Sequence, residues 1–306
     1  MVDKKVVVIG LDGATWDLIK PWADKGELPT FKKLMKNSAL GNLESTIPPV
    51  TGPAWVSFAT GKNPGKHGIF DFVSLENCHL KLHTSKDIKA KPIHNLLSEE
   101  SLRCIIIGLP LSFPQSKNFN GVMISDFLYP NKEIIPESKK KYIDNYRVAP
   151  ELTKTGEELL EDMIETAKSQ VMVARELFIK ENWDFYFFYF PETDSVSHHF
   201  WKDLTHTTKV GQRAKEIFYI ADEFLGWILD RLDEKTTLLI MSDHGFATHP
   251  YTLNLNKVLL DNGFLKTTIK EKKVDETLGQ HIVKTFGSKE RKEVTVSIHQ
   301  VYQQKL

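Results

Sequence analysis

Residues 6–11, Val-Val-Val-Ile-Gly-Leu, form an unbroken and mostly β-branched apolar run. A run of this kind predicts a strand buried on both faces, as in a parallel sheet. Residues 185–190, Phe-Tyr-Phe-Phe-Tyr-Phe, and 237–242, Thr-Leu-Leu-Ile-Met-Ser, read the same way. The aromatic density of the second run fits a core strand, because aromatic side chains favour strands and the run is short and uninterrupted. Residues 103–108 and 122–125 predict two further sheet strands, and 39–43 a short one. Between these runs the apolar period changes to that of a helix. Leu159, Leu160, Met163, Ile164, Ala167, Val171, Val173 and Leu177 predict a long amphipathic helix from Gly156 to about Lys180. Ile217, Ile220, Ala221, Phe224, Leu225 and Ile228 predict another over about 209–232. Residues 15–36 read as helical, broken near Pro21 and restarted at Pro29. A loop rich in Pro and Gly precedes a short helix starting at Trp55. Strands that alternate with helices predict an α/β fold with a doubly wound, mostly parallel sheet and helices on both faces.

Composition narrows the class. The 306 residues carry 40 basic and 40 acidic side chains, so no net charge is available to hold nucleic acid by bulk attraction. Only Cys78 and Cys104 are present, which makes no disulfide framework and fits a reducing compartment. The apolar run near the N-terminus is too short for a secretory signal, and no stretch reaches the ~18 apolar residues of a membrane span. These features predict a cytoplasmic protein without a membrane partner, and none of them specifies an oligomeric state. Residues 1–266 read as the core, with an inserted cap within 73–150 that sets substrate choice. Residues 267–306 are poorly patterned and read as a truncated continuation of the core, although 294–298 alternate like an edge strand.

The acids and histidines fall at strand ends. Asp12 directly follows the first run, Asp194 stands four residues after the aromatic run, and Asp243-His244 follow the third. In an open α/β sheet, ligands sit outside the carboxyl ends of the strands. Asp194 and His198 are four apart, so a helix there places both on one face. Carboxylate oxygen with imidazole nitrogen suits zinc, and also manganese or iron. Five such groups in three clusters suffice for two metal sites, one of them short of ligands. A two-metal site invites in-line displacement at phosphorus or sulfur, with water or a side-chain hydroxyl as nucleophile. Thr51 is the best hydroxyl: it precedes a Gly-Pro break and the start of a helix, whose free amides favour a bound phosphate. A helix N-cap is the alternative role for the same hydroxyl. His67 reads as a residue that orders its loop.

Residues 9–13 (Ile-Gly-Leu-Asp-Gly), 48–55 (Pro-Pro-Val-Thr-Gly-Pro-Ala-Trp) with 59–61 and 64–69 behind them, and 241–246 (Met-Ser-Asp-His-Gly-Phe) resemble the alkaline phosphatase superfamily. Within it they are most similar to the type I phosphodiesterase/nucleotide pyrophosphatase group, over about residues 4–265. The resemblance implies an alkaline phosphatase-like core and two zinc ions, with manganese also suited to the ligands. One ion would be held by Asp12, Thr51, Asp243 and His244. The other would be held by Asp194, His198 and a later histidine. Thr51 would attack phosphorus, carry the phosphoryl group and be displaced by water, with net retention. The implied substrate is a small phosphate ester, more readily a diester. The same core also serves phosphosugar mutases and phosphomonoesterases, and a degenerate relative would bind phosphate at one metal without turnover. A sulfatase is disfavoured, since neither cysteine lies in a Cys/Ser-x-Pro-x-Arg motif. Two departures stand out. The last histidine ligand has no recognisable counterpart among His249, His281 and His299. Where the nucleotide pyrophosphatases place a phosphate-binding Asn, this chain has Phe72 after Asp71.

Overall fold

The three valines and the isoleucine of 6–9 become the middle of β1 (Lys5–Leu11), whose residues from Val7 onward are all buried. This computed structural model describes residues 4–76, 79–115, 118–129, 131–206, 208–248, 253–268 and 295–297. After β1 come α1 (Trp16–Asp24), α2 (Pro29–Asn37), α3 (Thr51–Thr60) and the single turn α4 (Pro64–His67). A hairpin of β2 (Val73–Glu76) and β3 (His79–Leu82) leads to α5 (Ile93–Glu99), β4 (Cys104–Ile107), β5 (Gly121–Ile124) and the two-residue β6 (Ile134–Ile135). The 25-residue α6 (Gly156–Lys180) precedes β7 (Phe185–Phe190), α7 (Glu192–His206), α8 (Lys209–Ala214), α9 (Glu216–Leu229) and β8 (Thr236–Met241).

Six strands form one sheet in the order β6-β5-β4-β7-β1-β8. All neighbours run parallel except β5 and β6. Ile9 is level with Phe188 on one side and Ile240 on the other, so β7, β1 and β8 end together. The alternation of a strand sends its side chains to two cores. Val7, Ile9, Tyr186, Phe188 and Phe190 face a large cluster with α1, α2, α6 and α9. Val8, Ile106, Phe185, Phe187 and Tyr189 face Trp55 and Ala59 of α3. The sheet is therefore covered on both faces, and the aromatic strand is core along its whole length.

The pattern misplaces several details. Residues 39–43 form no strand. α1 runs through Pro21 and stops at Asp24, because Leu18, Ile19, Trp22 and Ala23 bury its inner face on both sides of the proline. The helix expected over 209–232 divides at Lys215 into α8 and α9. α3 begins four residues before Trp55, at Thr51. Among the described residues the third apolar run, β8, is the sheet edge, and Leu239 on it is 45% exposed. The strands expected over 103–108 and 122–125 are present as β4 and β5 of the main sheet, β6 joins them, and the β2–β3 hairpin lies outside that sheet.

The chain divides into two compact units, residues 1–246 and 247–306. In the second, α10 (Leu255–Asp261) is followed by β9 (Lys266–Thr268), which pairs antiparallel with β10 (Thr295–Ser297). His249, His281 and His299 lie outside the described residues. Among the described residues no helix is long and apolar enough to cross a membrane.

Candidate metal and phosphoryl site

Because β7, β1 and β8 are neighbours, their carboxyl ends bring residues 194, 12 and 243 side by side. Asp12 is 1% exposed and Asp243 is 5% exposed. The structure gathers Asp12, Asp194 and His244 so that one ligand atom of each lies within 4.8 Å of the others. His244 Nε2 stands 3.4 Å from Asp12 Oδ1 and 3.5 Å from Asp243 Oδ2. Asp194 and His198 share a face of α7, with Oδ2 3.3 Å from Nε2. His198 is the more exposed of that pair, and its ring meets Phe246 edge-on at 4.9 Å.

Each aspartate has one oxygen engaged and one open. The Tyr189 hydroxyl donates to Asp12 Oδ2. The Gly13 amide donates to Asp243 Oδ1 at 3.1 Å. Asp12 Oδ1, Asp194 Oδ1 and Asp243 Oδ2 are buried and have no hydrogen-bond partner. A buried carboxylate oxygen left without a donor costs at least about 1–3 kcal/mol unless a proton or cation compensates. Burial, with Asp243 and Asp194 nearby, pushes the Asp12 carboxyl well above the ordinary range. Burial also raises Asp243, opposed by His244. The hydrogen bond to Asp194 raises His198. Open carboxylate oxygens around an imidazole nitrogen are the donor set of a zinc or manganese ion, so the residues fit a divalent metal.

Thr51 joins this group through the helix start. It is the first residue of α3, and the preceding Val50 makes no side-chain cap. The Thr51 hydroxyl does not cap its own helix but donates to His244 Nε2 at 3.1 Å. His244 Nδ1 faces the Gly245 carbonyl at 2.9 Å, which only accepts, so in the neutral ring Nε2 carries the lone pair. The first helical bond of α3 runs from the Ala54 amide to the Val50 carbonyl. The amides of Thr51 and Gly52 therefore have no place in the helical ladder, and Pro53 has none. Such a helix start favours an anion. Phe72 packs against Gly52 there, and with Val56, Ile69, Leu111 and Leu128 forms a small apolar cluster.

Two supports of the site carry no local mark in the sequence. Tyr189 was hidden inside the aromatic strand. Gly13 has φ +59°, and a Cβ there would lie 2.5 Å from Asp194 Oδ1. His67 is fully buried: its Nδ1 accepts from the Ile69 amide, and its Nε2 meets Ser57 Oγ at 2.9 Å, which is a loop-ordering role.

Residues 6–304 match the model of a family described as type I phosphodiesterase / nucleotide pyrophosphatase. No curated protein matches the chain by sequence. Among solved structures, the fold resembles phosphonoacetate hydrolase from Sinorhizobium meliloti 1021 in complex with phosphonoformate. The TM-score is 0.62 at 14% identity, over 89% of this chain and 66% of that one. It also resembles murine ectonucleotide pyrophosphatase/phosphodiesterase 5, with TM-score 0.55 and 17% identity over 94% of this chain and 70% of that one. An inactive form of the murine protein, with one threonine replaced by alanine, was solved in complex with AMP.

Proposed function

Because the chain belongs to the type I phosphodiesterase/nucleotide pyrophosphatase family, we propose that it is a metal-dependent hydrolase of phosphate diesters with Thr51 as nucleophile. The observation that carries this reading is the Thr51 hydroxyl at a helix N-terminus, 3.1 Å from His244 Nε2, which itself lies 3.4 Å from Asp12 Oδ1 and 3.5 Å from Asp243 Oδ2. Asp12, Asp243, His244 and Thr51 would hold one divalent ion, and Asp194 with His198 a second. Such ions supply charge neutralisation for a phosphoryl group and lower the pKa of a bound hydroxyl.

The chain's own residues account for orientation. Thr51 is fixed by the helix start, and before an ion binds its hydroxyl donates to His244 Nε2, the nitrogen that would then turn its lone pair to the ion. The amides of Thr51 and Gly52, free of the helical ladder, would donate to a non-bridging phosphate oxygen. Thr51 Oγ1, its proton released to solvent, then forms a bond to phosphorus as the bond to the leaving alcohol breaks; in a second step a water oxygen bonds to phosphorus as the phosphorus–Oγ1 bond breaks and a proton returns to Oγ1. Two in-line displacements retain configuration at phosphorus. Phe72 gives an apolar wall where the family resemblance places an Asn, which favours a diester other than a nucleotide.

A second reading has one observation in its favour. Among the described residues there is a single group of three close metal-ligating side chains, which suits a one-metal phosphate binder. Hydrolysis of bis-p-nitrophenyl phosphate and p-nitrophenyl phosphate, with bound metal counted on the same samples, separates the two. The hydrolase reading expects about two ions per chain, faster diester turnover, and a loss of at least about a thousandfold in Thr51→Ala. One ion and no turnover of either ester would establish the binder.

A further inference from the structure

We propose that Tyr189 is a positioning residue for Asp12: its hydroxyl holds Oδ2, so that Oδ1 alone is presented as an oriented metal donor. The proposal rests on the reading of this site as a metal centre. Tyr189 lies on β7, level with Gly10 of β1. It is 3% exposed, and its ring is held edge-on by Trp55 at 5.5 Å and stacked on Phe127 at 6.2 Å. The hydroxyl therefore reaches Asp12 from a ring with little freedom to move. The backbone of Asp12 is fixed independently. Its amide donates to the Phe190 carbonyl at 3.1 Å, and its carbonyl accepts from Thr193 Oγ1 at 2.6 Å.

That leaves rotation of the carboxylate as the remaining freedom. Tyr189 is the only hydroxyl or amide that donates to it among the described residues. A carboxylate free to rotate can offer either oxygen, or both. With Oδ2 engaged by the phenol, Oδ1 faces His244 Nε2 at 3.4 Å and each residue contributes one atom, as a four-coordinate ion requires. Hydrogen bonds that orient metal ligands in this way are typically worth about 10–100-fold in metal affinity.

The test compares Tyr189→Phe with Tyr186→Phe. Tyr186 lies on the same strand, is equally buried, and donates to the Ala174 carbonyl at 2.6 Å on the opposite face. Both variants keep the ring and lose one buried hydrogen bond, so the second reports the purely structural loss. The measurement is competition for zinc against a chromophoric chelator, with circular dichroism to verify the fold. Tyr189→Phe is expected to bind zinc about 10–100-fold more weakly, while Tyr186→Phe binds as wild type. Equal zinc affinity in Tyr189→Phe and wild type overturns the proposal alone, as does equal weakening in both variants. A wild-type chain that binds no zinc overturns the metal-centre reading and the proposal with it.

Discussion

Gly13 stands in the left-handed region, and its missing Cβ is the space that Asp194 occupies. Left-handed backbone costs other residues about 1–2 kcal/mol. Gly13→Ala is expected to lose that much stability and to weaken zinc binding at least tenfold, read by thermal melting and zinc titration. Glu192, two residues before Asp194, is fully buried, and burial raises its carboxyl to about 8, opposed by Arg147. An acid whose folded pKa lies above its unfolded one binds its proton more tightly when folded. Its contribution to stability is thus present below the ordinary glutamate range and is lost as pH rises toward 8. In metal-free protein, Glu192→Gln is expected to remove one proton's worth of that decline between about pH 5 and 8. Urea melts across this range check it. The ligand candidates were legible only together, because a single aspartate after an apolar run is more often a helix cap, whereas acids and histidines at three strand ends point to one site. Tyr189 and Gly13 were not legible, since a phenol within a core strand and a glycine within a turn carry no local mark of the contact they make.

At the scale of elements, α3 decides whether Thr51 is a cap or a nucleophile. The sequence alone predicts a helix start at Trp55, because Gly52 and Pro53 look like breakers. Proline is tolerated in a first turn, where its missing amide has no helical partner, so the helix extends back to Thr51. Trp55 seats it on the sheet. The ring is fully buried, meets Phe58, Phe187 and Tyr189 edge-on at 5.5–5.8 Å, and fills the notch over Gly10, where a Cβ would overlap it. Trp55→Ala is expected to cost about 3–5 kcal/mol, measured by urea unfolding. The split between α8 and α9 was illegible for a different reason: Lys215 keeps a helical conformation, and the break appears only in where the hydrogen bonds go.

Across the whole molecule, residues 12, 194 and 243 meet only because β1 lies between β7 and β8. Periodicity marks each strand but says nothing of this order, so the shared site came from the strand-end rule and from the motifs. The convergence also gathers negative charge without a described cation. Zinc is therefore expected to raise the melting temperature. The rise is expected to be larger at pH 8 than at pH 6, because burial raises Asp12 and Asp243 and protons compete with the metal at the lower pH. Melting curves at fixed zinc and two pH values check it. The central claim is that Thr51 carries the phosphoryl group. It is tested most directly by acid-quenching the metal-loaded protein during turnover of bis-p-nitrophenyl phosphate and weighing the Thr51 peptide. A nitrophenylphosphoryl adduct on Thr51 is expected in wild type, with no adduct and at least about a thousandfold less turnover in Thr51→Ala. Turnover at the wild-type rate in Thr51→Ala would contradict it.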